Sequence, residues 1–144
     1  MGKEEYLIDI KTHRTKLKKV HFYDIDISDE LVDQLDDESL EIFSKIEDNY
    51  EITDFTNKDI EISFTRKYSF KPEVIFIFEI EISIFYDINK KDKDISLDNL
   101  KQEVEERKVQ LLMPATSKAS LLLGNITNID TDSPPVITFP YISK

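Results

Sequence analysis

From Val74 to Tyr86 the sequence reads VIFIFEIEISIFY, with Val74, Phe76, Phe78, Ile80, Ile82, Ile84 and Tyr86 on every second position. Side chains alternate across a strand, so this run buries one continuous side as a long β-strand. Its other side, Ile75, Ile77, Glu79, Glu81, Ser83 and Phe85, is apolar at both ends and acidic in the middle. Just upstream, Ile60, Ile62, Phe64, Tyr68 and Phe70 share one side, with Arg66 as the exception, and Glu61, Ser63, Thr65, Lys67 and Ser69 share the other. Lys71-Pro72-Glu73 makes the turn, because proline presets its own φ and cannot donate to a ladder. The two runs are expected to form an antiparallel hairpin.

Tyr6, Ile8 and Ile10 alternate with polar neighbours, and so do Val20, Phe22 and Asp24 with theirs. This implies one long strand with a bulge, or two short ones. Between Ser28 and Asn49 the chain is strongly acidic, and Leu31, Leu35, Leu40, Phe43 and Ile46 recur at mixed spacings. A short helix or a loop pinned by those residues is expected there. At Ser96 the period changes to that of a helix, carried by Leu97, Leu100, Val104, Leu111, Ala115, Ala119 and Leu122. Ser96 suits the N-cap and Asp98 the first turn. Gly124-Asn125 reads as the stop. Pro114 lies inside the run and is expected to kink or split the helix. The tail from Asp130 to Lys144 is proline-rich and extended, and its Val136, Ile137, Phe139, Tyr141 and Ile142 need a surface to dock on. Strands precede helix along the chain, so the fold class is α+β, with one domain over 1–144.

The chain carries a net charge of −11 and no cysteine, with only two glycines and two histidines. Phosphate backbones repel such a chain, so nucleic acid is not an expected partner. The one basic stretch, Lys11 to Lys19, reads first as a strand edge guarded by lysines. Thiolate chemistry and cysteine-ligated zinc are excluded, and no phosphate-cradling glycine loop exists. The longest purely apolar run, Val74 to Phe78, is far too short to span a bilayer, and the acidic MGKEEYL stretch is not expected to act as a signal sequence. The pairs Asp24/Asp26, Asp92/Asp94 and Asp130/Asp132 lack the further ligands and turn glycine of a calcium loop. No metal or cofactor is expected, and no catalytic constellation stands out.

The unusual feature is apolar. Ile75, Ile77 and Phe85 on the mixed strand face, Leu111, Leu112 and Met113 before Pro114, and Phe139 and Tyr141 in the tail are the candidate peptide-binding residues. Two readings stand side by side. These residues form core or subunit interface, or some of them line a groove for unfolded peptide, which needs large, adaptable apolar side chains.

The stretch Leu111-Leu112-Met113-Pro114-Ala115-Thr116-Ser117-Lys118-Ala119, then Leu121 to Leu123, then Pro134-Pro135-Val136-Ile137-Thr138-Phe139-Pro140, resembles the C-terminal half of the SecB family of protein-export chaperones. Ile60 to Tyr86 sits where that family has its central strands, and Lys19 to Ile25 is similar to its first strand. Lys118 stands one place later than the family's basic residue, and Asp132 and Ser133 replace an expected glycine. Asn89 to Ile95 leads straight into the helix, so the family's fourth strand is expected to be missing, or restored by the N-terminal region, the tail or a neighbouring subunit. The resemblance implies an antiparallel sheet of three to four strands packed against a long, proline-kinked C-terminal helix. It implies a cytoplasmic, ATP-independent holdase, not an enzyme, assembled as a homo-oligomer (dimer or tetramer). Its client would be an unfolded polypeptide, either an export precursor held for the export ATPase or a dedicated client such as an antitoxin. The alternative is a non-catalytic oligomeric adaptor or structural protein on the same fold.

Overall fold

The structure, a computed structural model, describes residues 6–25, 33, 41–89, 96–129 and 135–142. Among the described residues the strands and helices, in chain order, include β1 (Ile8–Asp24), β2 (Phe43–Phe55), β3 (Asp59–Lys71), β4 (Phe76–Ile88), α1 (Leu97–Glu106) and α2 (Lys108–Thr127). The strands form one antiparallel sheet in the order β1-β4-β3-β2. β2, β3 and β4 are a meander, and β1 returns to the far side of β4.

The hairpin expected from the alternation is β3–β4, joined through a cis Lys71–Pro72 peptide. β4 starts at Phe76 rather than Val74. Ile75 interrupts the alternation with φ 71°, a left-handed conformation that β-branched residues rarely adopt.

β1 is one long strand with two irregularities, between Asp9 and His13 and between Leu17 and Lys19. The second explains its uneven pattern. Leu17 pairs with Ile82 and Val20 with Ile80, so three steps along β1 match two along β4, and the extra residue keeps both side chains on one face.

β2 corrects the expectation of a helix or loop around Phe43 and Ile46; Leu31, Leu35 and Leu40 lie outside the described residues. Ile46, Asp48, Tyr50 and Ile52 face Tyr68, Arg66, Phe64 and Ile62. Asp48 breaks the apolar alternation of β2 where Arg66 breaks that of β3, and the two residues are directly paired. The fourth strand is therefore present, supplied by Phe43–Phe55, which begins in the acidic segment ahead of the hairpin.

The even-numbered residues of β3 and β4 face the helices and make the core with Leu100, Val104, Leu111, Leu112, Ala115, Ala119 and Leu123. The Tyr86 hydroxyl donates to Leu111 O at 2.5 Å across this interface. The opposite face is polar, with Lys19 beside Glu81, and Lys67 between Glu79 and Glu47.

Ser96 caps α1 as expected, accepting from Asn99 N at 3.2 Å. The helix breaks at Arg107 and not at Pro114, which sits inside α2. Tertiary bonds fix that break. Glu103 accepts from the backbone N–H groups of Leu7 and Ile8, both at 2.8 Å. Arg107 Nη1 donates to Ile8 O at 3.2 Å and to Glu103 at 3.1 Å, with its guanidinium over the Tyr6 ring. The join between the helices thus clamps the start of β1. Gly124 does not stop α2, which runs on to Thr127. A Cβ at Gly124 would meet Val136 O at 3.5 Å, an ordinary contact, so the packing of this turn of the helix does not demand a glycine.

Candidate functional site

Residues 135–142 form an extended strap that runs back along α2. Val136 N donates to Thr127 Oγ1 at 2.7 Å, Ser120 Oγ bonds both Thr138 O and Thr138 Oγ1, and Thr116 Oγ1 donates to Pro140 O at 2.6 Å. Arg66 holds the strap from below. Its Nη1 donates to Phe139 O at 3.1 Å and its Nη2 to Tyr141 O at 2.9 Å. The same guanidinium is paired with Asp48 through Nε at 2.8 Å and Nη2 at 2.9 Å, and neither side chain is exposed. A buried arginine demands such complete pairing.

The strap alternates like a strand. Thr138 and Ile142 are buried and Val136 is half-buried, whereas Ile137 (87 %), Phe139 and Tyr141 are exposed, the last two with stacked rings. Of the five apolar residues expected to dock, two do.

On the other side of α2 lies an open groove of about 360 Å³ between the helix and β1. Ile80, Ile82 and Leu17 floor it, Leu121 and Leu122 wall it, and Lys118 reaches across it to Thr15. Leu17 (53 %) and Leu121 (64 %) are large apolar side chains left open to solvent, and Val20 and Phe22 continue the row along β1. Beyond the helices the same sheet face ends in an aromatic cluster, Phe22, Phe76, Tyr68 and Phe70, with ring centroids 4.9 to 5.7 Å apart. A second groove, about 550 Å³, runs between α2 and the strap, and Leu121 and Asn125 border both.

The candidate residues read from the sequence do not converge. Leu111 and Leu112 are wholly buried beneath α2, so in this chain they are core rather than an open surface. Met113 is exposed on the helix, near Pro114 and His13. Phe139 and Tyr141 lie on the strap. Phe85 and Ile77 are on the sheet face away from the helices; Arg14 lies 4.3 Å over the Phe85 ring, and Ile77 is buried. Ile75 is exposed at its irregular backbone position. Leu17, Val20, Phe22 and Leu121 were missed. A signal existed for Leu121, since three consecutive leucines cannot all face one core from a helix.

Burial pushes the Tyr86 phenol up to about 12, with Arg107 opposing. Burial likewise raises Tyr50 to about 12, aided by its hydrogen bond to Glu105. That bond and Lys108 hold Glu105 below the usual carboxylate range. Among the described residues no group of three His, Cys, Asp or Glu could hold a metal ion, and no helix is long and apolar enough to cross a membrane.

The sequence matches no family model and no curated protein. The architecture does find a counterpart. A SecB-like chaperone of Mycobacterium tuberculosis, Rv1957, solved in complex with a ChAD peptide from the Rv1956 HigA1 antitoxin, superposes with a TM-score of 0.62 at 8 % identity, over 89 % of this chain and 87 % of that one. The fold is SecB-like. A protein of unknown function from Streptococcus agalactiae overlaps with a TM-score of 0.49 at 13 % identity, over 93 % of this chain and 99 % of that one. In the SecB-like fold of this chain the four-stranded antiparallel sheet carries both helices on one face, as α+β class implies. Identity this low means that the fold is shared through its hydrophobic pattern and topology.

Proposed function

We propose that this chain binds extended apolar segments of unfolded polypeptide, without nucleotide and without catalysis, in the groove between α2 and β1. One observation carries the reading: the helices cover only part of their sheet face, leaving Leu17, Val20, Phe22 and Leu121 exposed beside a buried apolar floor. Contiguous apolar surface of this kind is what a binding site for polypeptide needs. The likeness in fold to a chaperone solved with a peptide of an antitoxin supports it. Met113, exposed on α2, and Phe139 and Tyr141, exposed on the strap across α2 from this groove, are proposed as further apolar contacts for a longer segment. Leu111 and Leu112 shape the proposed surface from beneath.

The proposal extends to a cytoplasmic homo-oligomer, a dimer or tetramer, that passes precursors to the export ATPase or guards one dedicated client such as an antitoxin. The acidic net charge suits a basic partner element.

The test is suppression of aggregation when a denatured polypeptide is diluted with and without the protein. Suppression near stoichiometric amounts, weakened by Leu17→Asp and by Leu121→Asp with melting temperature unchanged, supports the reading. No suppression at several-fold excess overturns it as a general holdase. Native protein that also fails to bind a hydrophobic dye would point instead to an adaptor whose apolar surface is spent between subunits.

A further inference from the structure

Four successive strap carbonyls, of Thr138, Phe139, Pro140 and Tyr141, each accept a hydrogen bond from a side chain of the scaffold: Ser120, Arg66, Thr116 and Arg66 again. Every acceptor is main chain, so any extended segment could supply the same four atoms. We propose that this seat is a binding groove for extended polypeptide backbone, and that the strap is its resident, displaceable occupant. The inference rests on the polypeptide-binding reading and adds to it a second subsite and its control.

Three observations support displacement. First, the strap buries only Val136, Thr138 and Ile142, because Ile137, Phe139 and Tyr141 point outward, and an incoming segment can bring equivalent side chains to those inward positions. An incoming segment that repeats the four carbonyl bonds exchanges with it at small net cost, since hydrogen bonds are swapped and not lost. Second, Arg66 keeps its two bonds to Asp48 when the strap leaves, so the opened seat exposes no unpaired buried charge. Third, Leu121 and Asn125 border both the groove beside the strap and the groove beside β1, so one client can cross α2 from one to the other. The inward positions define the client. They take Val136, Thr138 and Ile142, so the seat fits an extended segment with β-branched residues at alternate positions and tolerates large aromatics between them.

The chain has no cysteine, which allows a clean lock. Ser120 Oγ and Thr138 Oγ1 are 2.9 Å apart, so Ser120→Cys with Thr138→Cys places two thiols within reach of a disulfide between α2 and the strap. The full-length pair is titrated, oxidised and reduced, with a permanently unfolded, alkylated polypeptide. The oxidised form should bind about tenfold more weakly than the same variant in its reduced form, or worse, and reductant should restore binding to the reduced level. As a second variant, Ile142→Asp loosens the strap from the core. With the strap seated about nine-tenths of the time, freeing it tightens binding about tenfold.

Equal affinity of the locked and unlocked forms, or no change in Ile142→Asp, overturns the inference while leaving the α2–β1 groove in place, provided Leu17→Asp, which lines that groove alone, still weakens binding. A covalent dimer on oxidation also overturns it, since the strap would then sit on a neighbouring copy. No binding by any form, the unmodified protein included, brings down the polypeptide-binding reading and this inference together.

Discussion

Asp48 and Arg66 face each other across β2 and β3, and the carboxylate receives two guanidinium N–H bonds at 2.8 and 2.9 Å inside an otherwise apolar sheet face. Removing one partner strands the other's charge. Asp48→Ala is expected to cost about 3–5 kcal/mol, read from urea unfolding. The double replacement Asp48→Val with Arg66→Met should recover much of that loss, because well-packed apolar residues often match a buried pair. If it does, it also removes two of the strap's anchors, and binding can then be compared at similar stability.

Ile75 carries the opposite kind of cost. A β-branched side chain at φ 71° is strained by about 1–3 kcal/mol, and this one is exposed, so it returns little through packing. Ile75→Gly should raise stability by about 1 kcal/mol after the greater freedom of unfolded glycine is subtracted. A rise in melting temperature with client binding unchanged would also remove Ile75 from the candidate surface.

Glu103 ties α1 to the start of β1. Glu103→Ala leaves the N–H groups of Leu7 and Ile8 without their acceptor and takes the paired carboxylate from Arg107, which keeps its bond to Ile8 O. A loss of about 3 kcal/mol is expected. Hydrogen exchange at Leu7 and Ile8 should accelerate far more than exchange within β3.

Tyr50 and Tyr86 keep their protons in the folded state to about 12, whereas an unfolded tyrosine loses its proton near 10. Between those values the unfolded state binds fewer protons than the folded one, so stability falls as pH rises. The contribution is complete below about pH 10 and is lost through about pH 12. Tyr86→Phe gives up the bond to Leu111 O and should be less stable by about 1 kcal/mol near neutral pH. Its disadvantage should shrink in urea melts above about pH 10.

The β3–β4 hairpin was legible because its apolar period is nearly unbroken and a proline marks the turn. β2 was not, because its inward residue Asp48 looks like a surface acid until the register places it against Arg66. Arg66 stood out as an exception, but only the three-dimensional pairing shows that one arginine serves both Asp48 and the strap. The helix break was misplaced for a related reason. Pro114 is the local irregularity, yet the break follows the long-range bonds of Glu103 and Arg107 to Leu7 and Ile8. Among the candidate residues, Met113, Phe139 and Tyr141 are exposed, whereas Leu111 and Leu112 are core. Residue type could not separate Leu111 and Leu112 from Leu121, because that depends on which side of α2 meets the sheet.

The position of β1 has a kinetic consequence. β2, β3 and β4 are sequential neighbours and close through short turns, so they can form early. β1 must wait for β4, and its first residues are fastened by Glu103, 95 and 96 positions away in sequence. Until that late closure, the outer edge of β4 stands unpaired, with Phe76, Phe78, Ile80, Ile82 and Ile84 beside it. An edge of that kind pairs readily with other chains, and β1 is what covers it in the finished fold.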